Sequence, residues 1–191
     1  MRLIFFQLLT LTLFCISCKN EQESNPETVL GIKLGMPIQE QYDKLLNGGK
    51  LNLSSEGIKF IDFGSYKGSL NDHTFSDNKT LRDLTILFVN PNNQGVLSGN
   101  DSRKGVLSEL NKNEIIKMYQ DKYGDYKSET GEYGWRRYIW VKPNMTITLG
   151  FRVWGTSNGG INYYMVQALY ALDKKLDKKI DAEIKKNNPN I

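Results

Sequence analysis

NKNEIIKMYQDKYG, residues 111–124, and GWRRYIWVKPNMTITLGFRVW, residues 134–154, follow one another closely but repeat with different periods. In the first, Ile115, Ile116, Tyr119 and Tyr123 fall on one side of a helix, and Gly124 ends it. Asn111 with Glu114 three residues on is a capping-box-like start, so a helix is expected over about 112–123. In the second, Met145, Ile147, Leu149, Phe151 and Val153 alternate onto one strand face, the expected core. Thr146, Thr148, Arg152 and Trp154 share the opposite face. Residues 134–141 and 145–154 are expected to form a hairpin around Pro143-Asn144, and its register has two solutions. A two-residue loop pairs Lys142 with Met145 and sends Tyr138 and Trp140 into the core. A three-residue loop pairs Val141 with Met145 and sets both aromatics outside, beside Thr146, Thr148 and Arg152.

Upstream, the same order is legible. VLGIKLGM, residues 29–36, alternates as a short extended lead-in, and Pro37 suits a helix start. Ile38, Tyr42, Leu45 and Leu46 give a helical face over about 37–46, closed by Asn47-Gly48-Gly49. Strands are expected at 57–66 and 81–90, with 67–79 a polar, turn-rich connection and 91–105 a mid-chain loop. After the second helix come strands at 134–141, 145–154 and 163–171. Helix followed by antiparallel strands, twice, predicts an α+β fold with helices on one face of an antiparallel sheet. The expected organisation is a globular domain over 29–171, with possible repeats 29–104 and 105–171. In the tail, 172–191, Leu172, Leu176, Ile180 and Ile184 recur every fourth residue among alternating Asp and Lys. This predicts a C-terminal charged helix, lying on the domain or meeting a membrane surface or partner through its lysines.

Gly31-Ile32-Lys33-Leu34-Gly35-Met36, a helix containing Glu40, and Leu45-Leu46-Asn47-Gly48 resemble the opening of β-lactamase-inhibitor-protein-like repeats. The small lipoprotein of the outer-membrane β-barrel assembly machine is similar to these. Residues 111–126, with Tyr119 and Lys122-Tyr123-Gly124, resemble the opening of a second repeat. Pro37 stands where that family usually has a Ser or Thr cap. The resemblance implies a layered fold and a binding role, and it brings no catalytic residue.

The first 17 residues read as a signal peptide: Arg2, then an apolar run of about 14 residues, short of the roughly 20 needed to span a bilayer. Cys15-Ile16-Ser17-Cys18 resembles a bacterial lipobox, which implies that Cys18 is acylated (palmitate among the chains) and becomes the mature N-terminus. Residues 18–28 read as a lipidated polar tether, and its acidic Glu21, Glu23 and Glu27 resemble the export signal of Bacteroidetes surface lipoproteins. The expected location is the bacterial outer membrane, on its periplasmic side or at the cell surface, anchored through that lipid.

Charge and composition narrow the chemistry. The 191 residues carry 39% hydrophobic and 24% charged side chains, as a globular protein does, and a net charge of +4 is too mild to argue for nucleic acid. One histidine, and one cysteine beyond the leader, argue against His/Cys metal clusters and Cys/His dyads. Asp72-His73 is an adjacent pair in a presumed loop, without a nucleophile motif nearby. Asn90–Asp101 has the glycine and final acid of a calcium loop but lacks its first three carboxylates. Gly155, Gly159 and Gly160 link two strands and do not open a helix, so no phosphate loop is expected. No catalytic residue, metal or cofactor is expected. The candidate binding residues are Tyr138, Trp140, Arg152 and Trp154, an aromatic and arginine set suited to a protein or glycan partner. The function expected is a non-catalytic binding or envelope-assembly module, with an enzyme-blocking inhibitor or immunity protein and a glycan-active enzyme as alternatives.

Overall fold

In the computed structural model, residues 28–55, 57–63, 65–89, 106–157 and 159–189 are described. The leader, Cys18, the tether, the loop at 91–105 and the calcium-loop candidate at 90–101 lie outside the described residues.

The chain forms an α+β fold on a single eight-stranded antiparallel sheet. Strands β1 (Thr28–Val29) and β2 (Ile32–Lys33) make a small separate hairpin before α1 (Ile38–Asn47). Then come β3 (Leu51–Leu53), β4 (Lys59–Phe63), β5 (Tyr66–Thr74) and β6 (Leu81–Val89). Helix α2 (Glu109–Tyr123) is followed by β7 (Lys127–Thr130), β8 (Arg136–Val141), β9 (Met145–Thr156) and β10 (Asn162–Leu172), and α3 (Lys174–Asn187) closes the fold. The sheet order is β3-β4-β5-β6-β10-β9-β8-β7, so β6 and β10 meet at its centre.

Alternation decides the two faces. Leu70, Ile86, Ala168, Leu149 and Tyr138 are consecutive cross-strand partners, and the first four are buried. Ile38, Tyr42 and Leu45 of α1, Ile115 and Tyr119 of α2, and Ile184 of α3 complete that core. On the other face Thr85, Leu87, Thr148, Gln167 and Leu169 stay half-buried. The tail helix lies on the domain. Ile180 packs so near Gly35 that a Cβ there would stand 2.7 Å from its Cδ1, and Arg82 grips Asp177 through Nε at 2.8 Å and Nη2 at 2.9 Å.

Five expectations are corrected. Residues 66–74 are a strand where a polar connection was expected. β5 buries Tyr66, Gly68 and Leu70 inward and spends its polar residues on the other face and on Asp72. Gly68 sits where a Cβ would be 2.4 Å from Ile86, so the strand has no apolar side chain at the place where its neighbour packs hardest. Strands β3 and β7 are additional, the first too short and the second too polar to register as alternation. The lead-in is a tight hairpin, not one extended segment: Leu30 and Gly31 both take positive φ (56° and 88°), the turn that pairs Val29 with Ile32. Helix α2 starts three residues early because Ser108, not Asn111, is its cap, its Oγ accepting from Asn111 N. Val153 is 50% exposed rather than core, because β9 runs past the end of β8 and its register with β10 shifts at Tyr163/Tyr164.

Candidate functional site

Strand β8 decides what the aromatic cluster can do. Lys142 N donates to Met145 O at 2.8 Å across Pro143-Asn144, so the loop has two residues and Trp140 pairs with Ile147. That register turns Tyr138 and Trp140 inward. Trp140 is 2% exposed, donates Nε1 to Gly124 O at 2.8 Å, and meets Tyr119, Tyr123 and Tyr126 edge-on or tilted. Tyr138 stacks on Tyr126 with ring centroids 4.1 Å apart and meets Phe151 edge-on. Neither is available to a partner as part of one surface with Arg152 and Trp154. The four candidate residues are divided by the sheet.

Arg152 and Trp154 do lie together on the opposite face, and a third residue joins them. The Arg152 guanidinium carbon stands 5.1 Å from the ring centroid of Trp154 and 5.1 Å from that of Trp135. A cation held between two indole faces is favourable and orients all three groups. Trp135 reaches this position because Gly150 has no side chain: a Cβ there would lie 3.1 Å from the indole Cε3. Trp154 remains 38% exposed. Trp135, with Glu129, Arg137, Thr148, Gln167 and Leu169, lines a shallow depression of about 290 Å³. Trp135 was not among the sequence candidates. Its signal was Gly150, an isolated glycine inside a strand, which marks close approach by another group.

No protein-family model, curated protein or solved structure matches the chain.

Another polar cluster lies half-buried under α1, lining an open cavity of about 490 Å³. Asp72 Oδ1 accepts from Tyr42 Oη at 2.8 Å and from Lys59 Nζ at 2.7 Å, and Lys59 lies 4.4 Å over the Tyr42 ring. Burial, then the hydrogen bond to Asp72 and its charge, push the Tyr42 hydroxyl far above the ordinary tyrosine range. A phenol so held keeps its proton and serves as a donor, not a base. Asp72 and His73 do not cooperate. They are neighbours on a strand and point to opposite faces, and His73 Nδ1 meets Asp83 Oδ1 at 2.6 Å instead. Among the described residues there is no group of three or more His, Cys, Asp or Glu able to hold a metal, and no helix long and apolar enough to cross a membrane.

Proposed function

We propose that this protein is a lipid-anchored, non-catalytic binding module of the bacterial outer membrane, built from two repeats and binding a protein partner on the helix-free face of its sheet. The observation that carries the reading is the Trp135–Arg152–Trp154 stack, indole faces and a guanidinium fixed on a half-exposed strand face. Such groups supply large contact area at little entropy cost, which is why they dominate binding hot spots. The anchor on Cys18 rests on the lipobox resemblance.

Three parallels support the repeats 29–104 and 105–171. Each span orders a helix before four strands. Each helix buries an isoleucine and a tyrosine four residues apart, Ile38 with Tyr42 and Ile115 with Tyr119. Each helix is preceded by an isolated antiparallel bridge to a later segment, Pro37 to Thr80 just before β6 and Leu107 to Tyr164 in β10. This is the arrangement that the resemblance to β-lactamase-inhibitor-protein-like repeats implies.

The test is affinity capture from detergent-solubilised envelope by the full chain and by Trp154→Ala. The expected result is a stoichiometric protein partner lost in Trp154→Ala, with the unfolding transition unchanged. Equal capture by both would remove the site. A partner whose own catalysis stops on capture would favour the inhibitor reading, and turnover of an envelope glycan by the chain alone would favour the enzyme. Cys18→Ala is expected to release the chain from the membrane fraction.

A further inference from the structure

Beneath the first turn of α2, sharing only Arg152 with the tryptophan stack, lies a cavity of about 250 Å³. Its innermost charged group is Lys112, the one buried charged residue among the described residues. The Lys112 ammonium sits 4.1 Å from the Tyr164 ring centroid and 5.2 Å from that of Phe151. Its carboxylate contact is loose: Glu109 Oε1 stands 3.4 Å away, on a side chain 63% exposed against 9% for Lys112. Arg136 and Arg152 line the same cavity, and the Arg152 Nε is buried with no hydrogen-bond partner. Three cations therefore face one carboxylate on a largely exposed side chain, with Phe151, Val153 and Tyr164 beside them. Taking charge out of water is costly unless an opposite charge and hydrogen bonds replace the water.

We infer that this cavity binds a carboxylate carried on a compact apolar body, with Glu109 as the internal carboxylate that the ligand displaces. Lys112 is the deep anchor, its ammonium placed by the two rings. Arg136 closes on the outer oxygen from the strand end, and the planar guanidinium suits a carboxylate's two oxygens. Phe151, Val153 and Tyr164 give that body apolar contacts which a small inorganic anion cannot use. Arg152 belongs to both this cavity and the tryptophan stack, but Lys112, Glu109 and Arg136 take no part in the stack, so substitutions at Glu109 and Arg136 test this site separately.

The experiment is an NMR titration of the full chain in detergent with N-acetylphenylalanine, its primary amide and inorganic phosphate. The acid is expected to shift the amide signals of Glu109–Lys112 and Phe151–Val153 and to bind roughly tenfold or more tightly than the amide. Arg136→Gln should weaken the acid by roughly tenfold, and Glu109→Gln should tighten it several-fold by removing the competitor. Both positions are exposed, so both variants test binding in an intact fold. Absence of saturable acid binding to the wild type and to Glu109→Gln, or equal binding of acid and amide, overturns the inference. Phosphate binding as tightly as the acid overturns the selection by apolar walls.

Discussion

The space under α1 and the space under α2 each lie between a helix and antiparallel strands, and they are filled with opposite chemistry. Under α1, Asp72 takes one hydrogen bond from Tyr42 and one from Lys59, so donors and charges are matched within a closed set. Under α2, the tyrosine one helical turn beyond Ile115 finds a second tyrosine instead, Tyr119 Oη to Tyr170 Oη at 2.5 Å. The charge there is Lys112, laid over two rings with Glu109 Oε1 3.4 Å away on a largely exposed side chain. The difference teaches that helix and strand placement sets where a cavity forms, and single polar side chains decide whether it is closed or receptive. Helix α2 also reaches the first half of the sheet, since Glu114 and Asn111 both bond Tyr66 Oη at the start of β5.

The largest expected effect is alkaline, and it strikes both sides. Burial raises the hydroxyls of Tyr42, Tyr119 and Tyr170 above the ordinary 10.0, and the hydrogen bond to Asp72 adds to this at Tyr42. Their contribution to stability is complete below that value and is lost as pH rises from there toward the folded-state values. Each tyrosine that stays neutral only when folded costs about 1.4 kcal/mol per pH unit above 10. Denaturant unfolding followed against pH, with tyrosinate absorbance, should show these phenols titrating only as the chain unfolds. Tyr42→Phe should remove the share of the first space alone.

Next in size, Trp140→Ala should cost about 3–5 kcal/mol, as loss of a large core side chain and its hydrogen bond does, and Trp154→Ala less than about 1 kcal/mol. Equal costs would mean that the sheet does not divide the aromatics. The most direct comparison of the two spaces is Asp72→Ala against Lys112→Met. The first strands a tyrosine hydroxyl and an ammonium and should cost about 1–3 kcal/mol. The second replaces a loosely paired cation on aromatic faces and should fall within about 1 kcal/mol of the parent, in either direction. Chemical denaturation of both variants checks this, and an equal penalty would close the second space as well. The smallest effect is expected at Asp177→Asn. Arg82 is half-exposed, so losing this bidentate pair should cost about 0.5 kcal/mol, read as faster amide exchange in α3 before any change in global stability.

Much of the fold was legible because it repeats strongly. The helical faces at Ile38–Leu46 and Ile115–Tyr123, the four-residue stripe ending at Ile184, and the alternation from Met145 to Phe151 each bury one continuous apolar edge, and local period alone reveals that. β5 hid because its inward positions include a glycine and an aspartate whose partners come from elsewhere. Gly68 makes room for Ile86, and Asp72 is neutralised by Lys59 from another strand.

The sequence by itself determined the α+β class, the three helices, the β8–β9 hairpin and the face shared by Arg152 and Trp154, since these follow from side-chain periodicity along one segment. Only the tertiary structure decided which register the hairpin takes, and with it that Trp140 belongs to the core. A one-residue change of pairing exchanges the faces, and the choice between them is made by the energy of burying Trp140 against Tyr119, Tyr123 and Tyr126. The same holds for Trp135 over Gly150 and for Lys112 over Tyr164. Each depends on two residues distant in the chain meeting at a few ångströms, a quantity that packing sets and that no single segment contains.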